Sequence, residues 1–528
     1  MSDELNGSSS PKNSNGDDAR SQMKHFWHDH SKDATLEEMM LDTQARTLCA
    51  EEQPEILSLL PSLAGKRILE LGAGIGRFTG LLAESAKHVT AIDFMETFIN
   101  KNRELNSCHD NIKFLQADAT KLDFAPESFD VIFSNWLMMY LTDDEVVKLA
   151  SKSLCWLDQD GFLFFRESCF HQSGNKKRDF NPTIYRKPAL YNAIFQGTTQ
   201  ADPTLNNTER ISMGFDLIFS RSVQSYIKLK NNQNQFCWLM QKVKRNTAVN
   251  HGFETFQQFL DSQQYTRQGI LRYEKIFGDG YVSTGGSQTT KEFLPMIGLK
   301  PGQRVLDVGA GIGGGDFYMA KTYGVEVVGM DLSSNMIEIA MERASEHKDL
   351  KVQFEIADVT KRDYEAKSFD VVYSRDTLLH ISDKASLFHK FLTWLKPGGK
   401  LLISDYCCGD LPHTDAFRSY IAQRGYTLYT PKAYGKLLEA AGFINVKAED
   451  RTEQFMEILE AEKAKVEKGR EAFIKEFSEE DFQYLVDGWT NKLTRSKAGD
   501  QKWGLFLAEK AAVSPPPFPQ GGCSNGHL

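Results

Sequence analysis

A glycine-rich segment occurs twice in this chain of 528 residues. Residues 68–83 read ILELGAGIGRFTGLLA and residues 305–320 read VLDVGAGIGGGDFYMA, so that the first glycines of the copies, Gly72 and Gly309, lie 237 residues apart. The likeness continues downstream, where HVTAIDF matches EVVGMDL, IKFLQADAT matches VQFEIADVT and SFDVIFSNW matches SFDVVYSRD. A period this long indicates a duplicated domain rather than a short solenoid repeat. The chain is therefore predicted to fold as two similar domains.

Within each copy, short apolar runs alternate with helical patterns, which is typical of βαβ units and a mostly parallel sheet. We predict an α/β fold with two tandem Rossmann-like, doubly wound domains. The polar stretch KRNTAVNHG marks their junction, so the domains are expected to span 23–248 and 249–512. Residues 1–22 and the Pro/Gly-rich residues 513–528 are expected to be disordered, because neither segment can bury enough apolar surface to order itself.

Composition excludes several classes of partner. A net charge of -9 without a long basic run argues against nucleic acid, since phosphate neutralisation needs clustered Lys and Arg. No apolar run reaches the roughly 18 residues of a membrane span, and the polar N-terminus does not resemble a secretory signal. The eight cysteines lack zinc-finger spacing, so we expect reduced thiols and no metal site. A cytoplasmic protein that binds small molecules is expected.

The glycine turns bring backbone close to a ligand, because no Cβ intrudes. A dinucleotide is one candidate, since the second copy satisfies G-x-G-x-x-G with Gly314 as its third glycine, but the first copy has Arg77 at that position. Glu70 and Asp307 stand two residues before the first glycines, and a carboxylate there would repel pyrophosphate and attract a cation. The ligand is therefore expected to be positively charged.

S-adenosylmethionine meets this requirement, because it carries a sulfonium and an amino group beside an adenosine. An aspartate ends the second strand of each copy, where its carboxylate can accept both ribose hydroxyls, and another ends the third strand beside the adenine. Any one of these acids could simply be a solvated turn residue, but matching acids in both copies argue against that interpretation. The predicted cofactor-binding residues are Glu70, Gly72, Gly74, Gly76, Asp93 and Asp118 in the first copy and Asp307, Gly309, Gly311, Gly313, Asp331 and Asp358 in the second.

Tyrosines and cations outside the shared core of the second copy indicate the substrate. Aromatic faces suit an alkylammonium, and arginine and lysine suit an anion such as phosphate. Within SRDTLLHIS, Asp376 and His380 lie four residues apart, on one face if that segment is helical. The mixture suggests a phosphorylated amino alcohol. The candidate residues are Tyr265, Tyr273, Asp376, His380, Tyr406, Tyr420, Arg424, Tyr426 and Lys492.

From about residue 23 to 512 the chain resembles the tandem phosphoethanolamine N-methyltransferases, class I S-adenosylmethionine-dependent enzymes. The resemblance is carried by ELGAGIGRFTG, FSNWLMMYL, FRESCFHQSG, DVGAGIGGGDFYMA, YSRDTLLHI and QKWGLF. It implies three successive methylations, through phosphomonomethylethanolamine and phosphodimethylethanolamine, to phosphocholine for phosphatidylcholine synthesis. It also implies that the first domain performs the first step and the second domain the last two, in a monomer with two active sites.

The same resemblance assigns roles in the second domain. Tyr265 and His380 would close over the site, and Asp376 and Tyr273 would bind the amine. The residues assigned to the phosphate are Tyr420, Arg424, Tyr426 and Lys492. An ammonium must lose a proton before it attacks the methyl group, and His380 or a tyrosinate could take that proton. Alternatively, the pair orients the substrate and excludes water, so that proximity supplies most of the acceleration.

The first domain departs from this pattern. Alignment of FSNWLMMYL with YSRDTLLHI places Trp136 at the position of Asp376 and Tyr140 at that of His380. Spacing from the glycine turn suggests that His28 or His30 faces Tyr140, a Tyr/His pair with exchanged roles. Downstream, RESCFHQSGNKKRDFNPTIYRK offers a phosphate cradle or, equally, a solvated basic loop. The residues predicted for the cradle are His171, Arg178, Tyr185, Arg186 and Lys187, of which Arg178 and Tyr185 are the principal candidates.

Two other functions remain open at this point. In one, the first domain binds S-adenosylmethionine without catalysis. The first domain is the candidate for this role because its substrate-binding residues are less clearly identified, and turnover by each domain alone would exclude it. In the other, the enzyme methylates a small amine that has no phosphate. In that case Arg424→Ala or Lys492→Ala should leave the Michaelis constant unchanged, although small-amine sites seldom need several convergent cations and tyrosines.

Overall fold

The computed structural model describes residues 16–176, 180–201, 211–246, 252–344, 347 and 350–512. The chain divides into two compact units between Phe256 and Gln257. Both units are mixed α/β, which confirms the predicted fold class. The predicted tail 513–528 lies outside the described residues.

The sheet of the first unit has the order β3-β2-β1-β4-β5-β8-β7, and β6 pairs with β7. β1 to β5 run parallel, whereas β7 and β8 are antiparallel to their neighbours. The strands are β1 (Arg67–Leu71), β2 (His88–Asp93), β3 (Ile112–Gln116), β4 (Phe129–Asn135), β5 (Leu157–Ser168), β6 (Thr199–Ala201), β7 (Ile211–Ser222) and β8 (Gln235–Asn246).

Helices follow the strands of the first unit as in a doubly wound fold, and short 3₁₀ turns lie at Ala119–Lys121 and Met138–Tyr140. The α-helices are α1 (Gly16–Asp29), α2 (Leu36–Met40), α3 (Ala45–Ser58), α4 (Thr79–Ala83), α5 (Glu96–Leu105), α6 (Asp143–Trp156), α7 (Pro188–Gly197) and α8 (Gln224–Lys230).

Helix α1 corrects the prediction that residues 1–22 are disordered, because it begins at Gly16. Its Met23 and Phe26 side chains are buried and fix the later turns of the helix. Once those turns are held, each added residue gains a backbone hydrogen bond without a new nucleation step. The polar residues upstream therefore continue the helix.

The sheet of the second unit repeats this order as β11-β10-β9-β12-β13-β15-β14. β9 to β13 run parallel, and β14 and β15 are antiparallel to their neighbours. The two sheets therefore share one topology, as the duplication predicts. The strands are β9 (Arg304–Val308), β10 (Glu326–Asp331), β11 (Val352–Ala357), β12 (Phe369–Arg375), β13 (Leu395–Cys408), β14 (Ile444–Asp450) and β15 (Gln501–Glu509).

The second unit differs from the first in the connection between its last two strands, which carries three helices where the first unit has only α8. Its short turns are a π-helical turn at Leu260–Gln264 and a 3₁₀ turn at Leu378–His380. The α-helices are α9 (Phe256–Phe259), α10 (Arg267–Phe277), α11 (Gly286–Ile297), α12 (Gly314–Tyr323), α13 (Ser334–Ala344), α14 (Lys384–Trp394), α15 (Asp415–Arg424), α16 (Pro431–Ala441), α17 (Thr452–Lys468), α18 (Arg470–Glu476) and α19 (Glu479–Lys497).

The central strands are buried on both faces, as expected of a parallel sheet covered by helices. In β1 the four residues from Ile68 to Leu71 are buried, and β9 shows the same pattern. The seven cysteines of the described residues are free thiols. Within the same residues, no helix is both long enough and apolar enough to cross a membrane.

Candidate active site

Each glycine turn follows the first strand of its sheet and is held by the aspartate that ends the neighbouring strand. The Gly74 N–H donates to Asp93 Oδ2 at 2.8 Å, and the Gly311 N–H donates to Asp331 Oδ2 at 3.1 Å. The other oxygen of each carboxylate accepts a backbone N–H two residues further on, at 2.8 and 2.9 Å. Burial raises the pKa of both aspartates to about 6. The predicted glycines and aspartates thus lie together at the carboxyl ends of the strands.

The turns form cradles that side chains cannot enter. Gly309 has a φ of +88°, and a Cβ there would lie 1.9 Å from Thr377 Oγ1. Gly311 has a φ of +55°, and its Cβ would lie 2.7 Å from Val282 Cγ2. A ligand can therefore approach bare backbone at this point. The other predicted glycines, Gly72, Gly74, Gly76 and Gly313, also have positive φ.

An acidic side chain lies two residues before the first glycine of each turn. Glu70 accepts a hydrogen bond from the Thr79 hydroxyl at 2.6 Å, whereas Asp307 Oδ1 has no hydrogen-bond partner among the described residues. Burial raises the pKa of each carboxyl to about 8, so both are mostly protonated at neutral pH. Sequence analysis treated both side chains as carboxylates that attract a cation. They are instead buried acids whose ionised form a neighbouring cation would favour, which fits a sulfonium ligand.

A further buried acid in the second unit was missed by sequence analysis. Asp316, in the first turn of α12, is fully buried, and neither carboxyl oxygen has a hydrogen-bond partner within the described part of the chain. Burial and the adjacent Asp307 raise the pKa of Asp316 well above its ordinary range. The first unit has Thr79 at this position. The signal was present in the sequence, because RFT of the first copy aligns with GGD of the second.

Asp118 and Asp358 follow the third strands, where each caps the short turn behind it. Asp118 Oδ1 accepts from the Thr120 N–H and hydroxyl at 3.0 and 2.7 Å. Asp358 Oδ1 accepts from the Thr360 N–H and hydroxyl at 2.9 and 2.6 Å. These bonds fix both carboxylates at the sheet edge where the predicted adenine site lies.

A cavity in the first unit brings cofactor-side and substrate-side candidates together. Trp136, at the end of β4, also lines it and has a φ of +57°, as Asp376 of the second unit has a φ of +50°. Both residues therefore turn the chain in the same way before a 3₁₀ turn, rather than starting an α-helix. The predicted residues in the cavity wall are Glu70, Gly72, Gly74, Asp93, Asp118, Tyr140 and Tyr185.

His30, predicted to face Tyr140, lies against Phe26 of helix α1. Its Nδ1 lies 2.7 Å from the Phe26 carbonyl oxygen, and its ring stacks on that of Phe26 with centroids 4.2 Å apart. The ring beside Tyr140 belongs to Trp27, at 5.4 Å in an edge-to-face arrangement. His28 is exposed beside Asp29. Spacing thus placed a ring partner of Tyr140 on helix α1, where Trp27 makes that contact, and a pairing of His28 or His30 with Tyr140 stays a prediction.

Arg186 and Tyr185 of the predicted phosphate cradle in the first unit have partners within the chain. Arg186 is buried and donates to the carbonyl oxygens of Met138 and Leu141, so that it supports the segment around Tyr140. The Asn181 amide donates to Tyr185 Oη at 3.0 Å. Arg178 lies outside the described residues.

In the second unit, Tyr265 Oη lies 3.5 Å from His380 Nε2, so the structure brings the predicted pair together. Burial, with the charges of Lys384 and Arg424, lowers the pKa of His380 to about 4. Burial raises the pKa of Tyr265 above its ordinary value. At neutral pH the pair is therefore a neutral imidazole beside a neutral phenol, and the phenol can donate to the imidazole.

A cluster of predicted phosphate-binding residues adjoins His380 and contains Tyr420, Arg424 and Tyr426. The Tyr426 ring lies edge-to-face against His380 at 5.1 Å and against Tyr420 at 5.7 Å. Arg495, which sequence analysis missed, places its guanidinium 3.8 Å from the Tyr420 ring centroid. Charge interaction with Tyr426 and a hydrogen bond with Tyr484 outweigh burial and raise the pKa of Arg424. The predicted phosphate residues thus form a tyrosine cluster with permanently charged guanidiniums.

Asp376, which was predicted to bind the amine, is held by hydrogen bonds to both of its carboxyl oxygens. Its Oδ2 accepts from the Thr284 N–H at 3.0 Å, and its Oδ1 accepts from Trp503 Nε1 at 2.8 Å. Tyr273 packs nearby against Trp489, with ring centroids 6.3 Å apart. Trp503 belongs to the QKWGLF motif, but its bond to a residue 127 positions away gave no sequence signal.

Lys492 lies above two aromatic rings, with Nζ 4.1 Å from the Trp489 centroid and 5.7 Å from the Tyr406 centroid. Burial lowers the pKa of Lys492 to about 8, although Glu462 opposes the shift. Glu462, also missed, accepts from Trp489 Nε1 at 2.8 Å and from the Gly285 N–H at 2.9 Å. It therefore ties α17 to α19 and to the start of α11.

A tryptophan that donates a hydrogen bond lies at different positions in the two units. The strand registers pair Ser168 with Gln235 and Tyr406 with Trp503, so Gln235 and Trp503 correspond. In the second unit the Trp503 indole donates to Asp376, whereas in the first unit the Trp136 indole donates to Gln235 Oε1 at 2.7 Å. The hydrogen bond is kept, but its donor has changed strands. The first cavity therefore presents an indole where the second site presents a carboxylate.

Comparisons with known proteins agree with this geometry. Two family models, each described as a methyltransferase domain, match residues 68–161 and 284–448. The chain is 53% identical to phosphoethanolamine N-methyltransferase 1 of Triticum aestivum over 94% of its length and 98% of that protein. It is 52% identical to phosphoethanolamine N-methyltransferase 1 of Arabidopsis thaliana over 94% of its length and 99% of that protein.

A solved structure is similar as well. Phosphoethanolamine N-methyltransferase 2 of Haemonchus contortus, in complex with phosphomonomethylethanolamine and S-adenosylhomocysteine, superposes with a TM-score of 0.70 at 27% identity. The match covers 88% of this chain and 99% of that one. Because the chain is 53% identical to the Triticum aestivum protein over nearly the whole length of both, it belongs to the phosphoethanolamine N-methyltransferases.

Proposed function

We propose that the protein transfers methyl groups from S-adenosylmethionine to phosphoethanolamine in three steps that end at phosphocholine. The observation that carries this proposal is the second unit's arrangement of a fixed carboxylate, Asp376, and the cations Arg424 and Lys492 around one tyrosine cluster. An ammonium and a phosphate on one small molecule match these two ends. The substrate bound in the Haemonchus contortus relative has this composition.

The residues at the glycine turns fit the methyl donor. Asp93 and Asp331 would accept from its ribose hydroxyls, and the buried acids Glu70 and Asp307 would face its positive groups. When bound, the donor supplies a methyl group on positively charged sulfur. Asp316 would add a second acid near the donor in the second unit alone.

We propose that Asp376 orients the substrate amine. Because both of its oxygens already accept bonds from Thr284 and Trp503, the carboxylate cannot turn away when the amine arrives. The nitrogen must be unprotonated to attack. His380, with a pKa of about 4, is neutral and can accept a hydrogen bond, but it is a weak base. Orientation and exclusion of water therefore fit Tyr265 and His380 better than strong general-base catalysis.

The pH dependence of turnover distinguishes these two roles. If Tyr265 and His380 mainly orient, then Tyr265→Phe and His380→Asn should lower kcat about tenfold to a hundredfold with the pH profile of the wild type unchanged. Loss of the alkaline-rising limb of the profile in His380→Asn alone would instead establish His380 as the base. The substrate for both measurements is phosphodimethylethanolamine.

We further propose that the first domain performs the first methylation and the second domain the last two. The different substrate ends, Trp136 in one unit and Asp376 in the other, support a division of labour. The test is a time course of mono-, di- and trimethylated products with Asp93→Ala, Asp331→Ala and the exposed control Glu84→Ala. Asp93→Ala should not convert phosphoethanolamine, and Asp331→Ala should stop at phosphomonomethylethanolamine. Identical time courses for both aspartate variants would contradict the division.

The same time course decides between this proposal and a first domain that only binds the donor. In that case Asp93→Ala would still start from phosphoethanolamine at the wild-type rate.

We also propose that the protein acts in the cytoplasm, because its substrates are small water-soluble phosphobases, and that it is a monomer with two sites. Sedimentation of the full chain with S-adenosylhomocysteine tests the monomer, and a dimer at micromolar concentration would contradict it.

A further inference from the structure

Two arginines converge on one buried carboxylate in the first unit. Glu52 of α3 is fully buried, and its Oε2 accepts from Arg77 Nη2 at 2.9 Å. Its Oε1 accepts from Arg166 Nη1. The two arginine side chains are 3% and 0% exposed. Two positive charges thus meet one negative charge away from solvent, and a buried charge that lacks a counter-charge is unfavourable.

The neighbouring acids do not supply the missing charge. Glu55, one turn further along α3, accepts from the N–H groups of Gln224 and Ser225 at 2.7 and 2.8 Å. Meanwhile Arg77 Nη1 has no hydrogen-bond partner in the described part of the chain, whereas the Arg166 guanidinium lies against the Trp136 and Tyr226 rings. Buried guanidinium donors are normally bonded, so Arg77 Nη1 indicates a partner that comes from outside the chain.

Arg77 is the member of this cluster that reaches the cavity. It lines the wall together with Trp136, Tyr226 and Gln235 as well as the glycine turn. Its guanidinium lies 5.4 Å from the Trp136 ring centroid, and that of Arg166 lies 3.9 Å from the same ring. Trp136 corresponds to Asp376, which belongs to the substrate end of the second unit. Arg77 therefore lies where the glycine turn meets the substrate end.

The second unit has no counterpart to Arg77. The equivalent residue is Gly314, whose Cβ would lie 2.2 Å from the Gly280 carbonyl oxygen, so that no side chain fits. The second unit carries Lys492 and Arg495 on α19, in the connection where the first unit has the short helix α8, and Arg424 on α15, between β13 and β14, where the first unit has α7. The first unit thus has an arginine in its glycine turn and lacks a counterpart of α19.

We propose that Arg77 is the anion-binding residue of the first domain and receives an oxyanion on its free Nη1 edge, with Glu52 and Arg166 as positioning residues. The ligand class is a phosphomonoester or a carboxylate, and the position beside Trp136 favours the phosphate of phosphoethanolamine over the carboxylate of the methyl donor. A guanidinium suits either group, because its N–H donors form a planar fork. The phosphate assignment rests on the proposed function.

The test replaces Arg77 with Gln in the full chain. Removal of this arginine leaves Glu52 and Arg166 as a balanced pair, so the variant should fold, and thermal unfolding checks this. Arg77→Lys keeps the charge without the fork, and the exposed Arg46→Gln, on the same helix as Glu52, is the control. In an Arg424→Ala background that weakens the second site, calorimetry measures phosphoethanolamine binding in the presence of S-adenosylhomocysteine.

We expect Arg77→Gln to weaken phosphoethanolamine binding about tenfold to a hundredfold, with Arg77→Lys between it and wild type. If phosphoethanolamine binding is kept but S-adenosylhomocysteine binds more weakly by the same factor, the oxyanion is the donor's carboxylate and the anion site stands. If both ligands bind within twofold of wild type, the inference is wrong. If phosphoethanolamine binding is lost while Asp93→Ala still methylates phosphoethanolamine, the anion site stands and the proposed division of labour fails.

Discussion

Donor binding at the first domain should release a proton, because Glu70 is a buried acid. Burial raises the pKa of Glu70 to about 8, and its Oε2 accepts from the Thr79 hydroxyl at 2.6 Å. A positively charged sulfur favours the ionised form, so binding draws Glu70 from its protonated to its ionised state. The informative perturbation is Glu70→Gln, which resembles the protonated side chain in size and charge.

The magnitude follows from the pKa of Glu70. At pH 7, one unit below a pKa of about 8, about a tenth of the molecules carry an ionised Glu70, and ionising the rest costs about 1.4 kcal/mol. Each further unit of acidity adds about the same amount. The dissociation constant for S-adenosylmethionine should therefore fall about tenfold per pH unit from 6 to 8. The sign is fixed, because the cation binds the form that higher pH produces.

Calorimetry of the full chain with Asp331→Ala, which removes the competing second site, measures this constant and the protons released. S-adenosylhomocysteine is the matched ligand, because its sulfur is neutral, and its dissociation constant should vary much less with pH. Glu70→Gln should bind S-adenosylmethionine with a nearly flat pH dependence that meets the wild-type curve near pH 6. Equal pH slopes for the two ligands in the wild-type protein would refute the reasoning.

Three further predictions concern the second domain. Trp503→Phe removes the shorter of two hydrogen bonds to Asp376 Oδ1, the other coming from the Ser404 hydroxyl at 3.3 Å. Loss of about 1.5 kcal/mol should lower kcat/KM for phosphodimethylethanolamine about tenfold, with phosphoethanolamine conversion unchanged in an initial-rate assay. Glu462→Gln removes the negative charge that opposes the lowering of the Lys492 pKa, so Lys492 should lose its proton at a lower pH than in the wild type, where its pKa is about 8. KM for phosphodimethylethanolamine should therefore begin to rise at a lower pH in the variant, and an unshifted KM profile would contradict this. Gly309→Ala places a Cβ 1.9 Å from a threonine hydroxyl at a φ of +88°, so second-domain turnover and Tm should both fall while the first methylation persists.

The sequence was sufficient for features that are local. Glycine turns and strand-ending acids recur at fixed spacing, so the amino-acid sequence alone was enough to place Asp93 and Asp331 beside their turns. The fold class followed for the same reason, since alternation of strands and helices is legible over short windows. Tyr265 and His380 were matched through the resemblance to a family, and the structure places them 3.5 Å apart.

What the sequence did not predict depends on distant partners. Trp503 and Glu462 form hydrogen bonds to residues more than a hundred positions away in the sequence. The role inferred for Arg77 depends on its ion pair with Glu52, which only the structure shows. Spacing placed a partner of Tyr140 on helix α1, but the rotation of a helix about its axis depends on which side chains pack in the core, and the ring that contacts Tyr140 is that of Trp27.

The exchanged indole has a consequence for how the two domains can evolve. Trp136→Asp alone would place a new carboxylate against Gln235 and discard an indole N–H, while Asp376→Trp alone would leave two indoles competing for one pocket wall in the second domain. Either replacement alone removes the indole hydrogen bond that its domain now has. We therefore expect substitutions at the two positions of each pair to be coupled, so that a change at one position of the pair constrains which residues the other can accept.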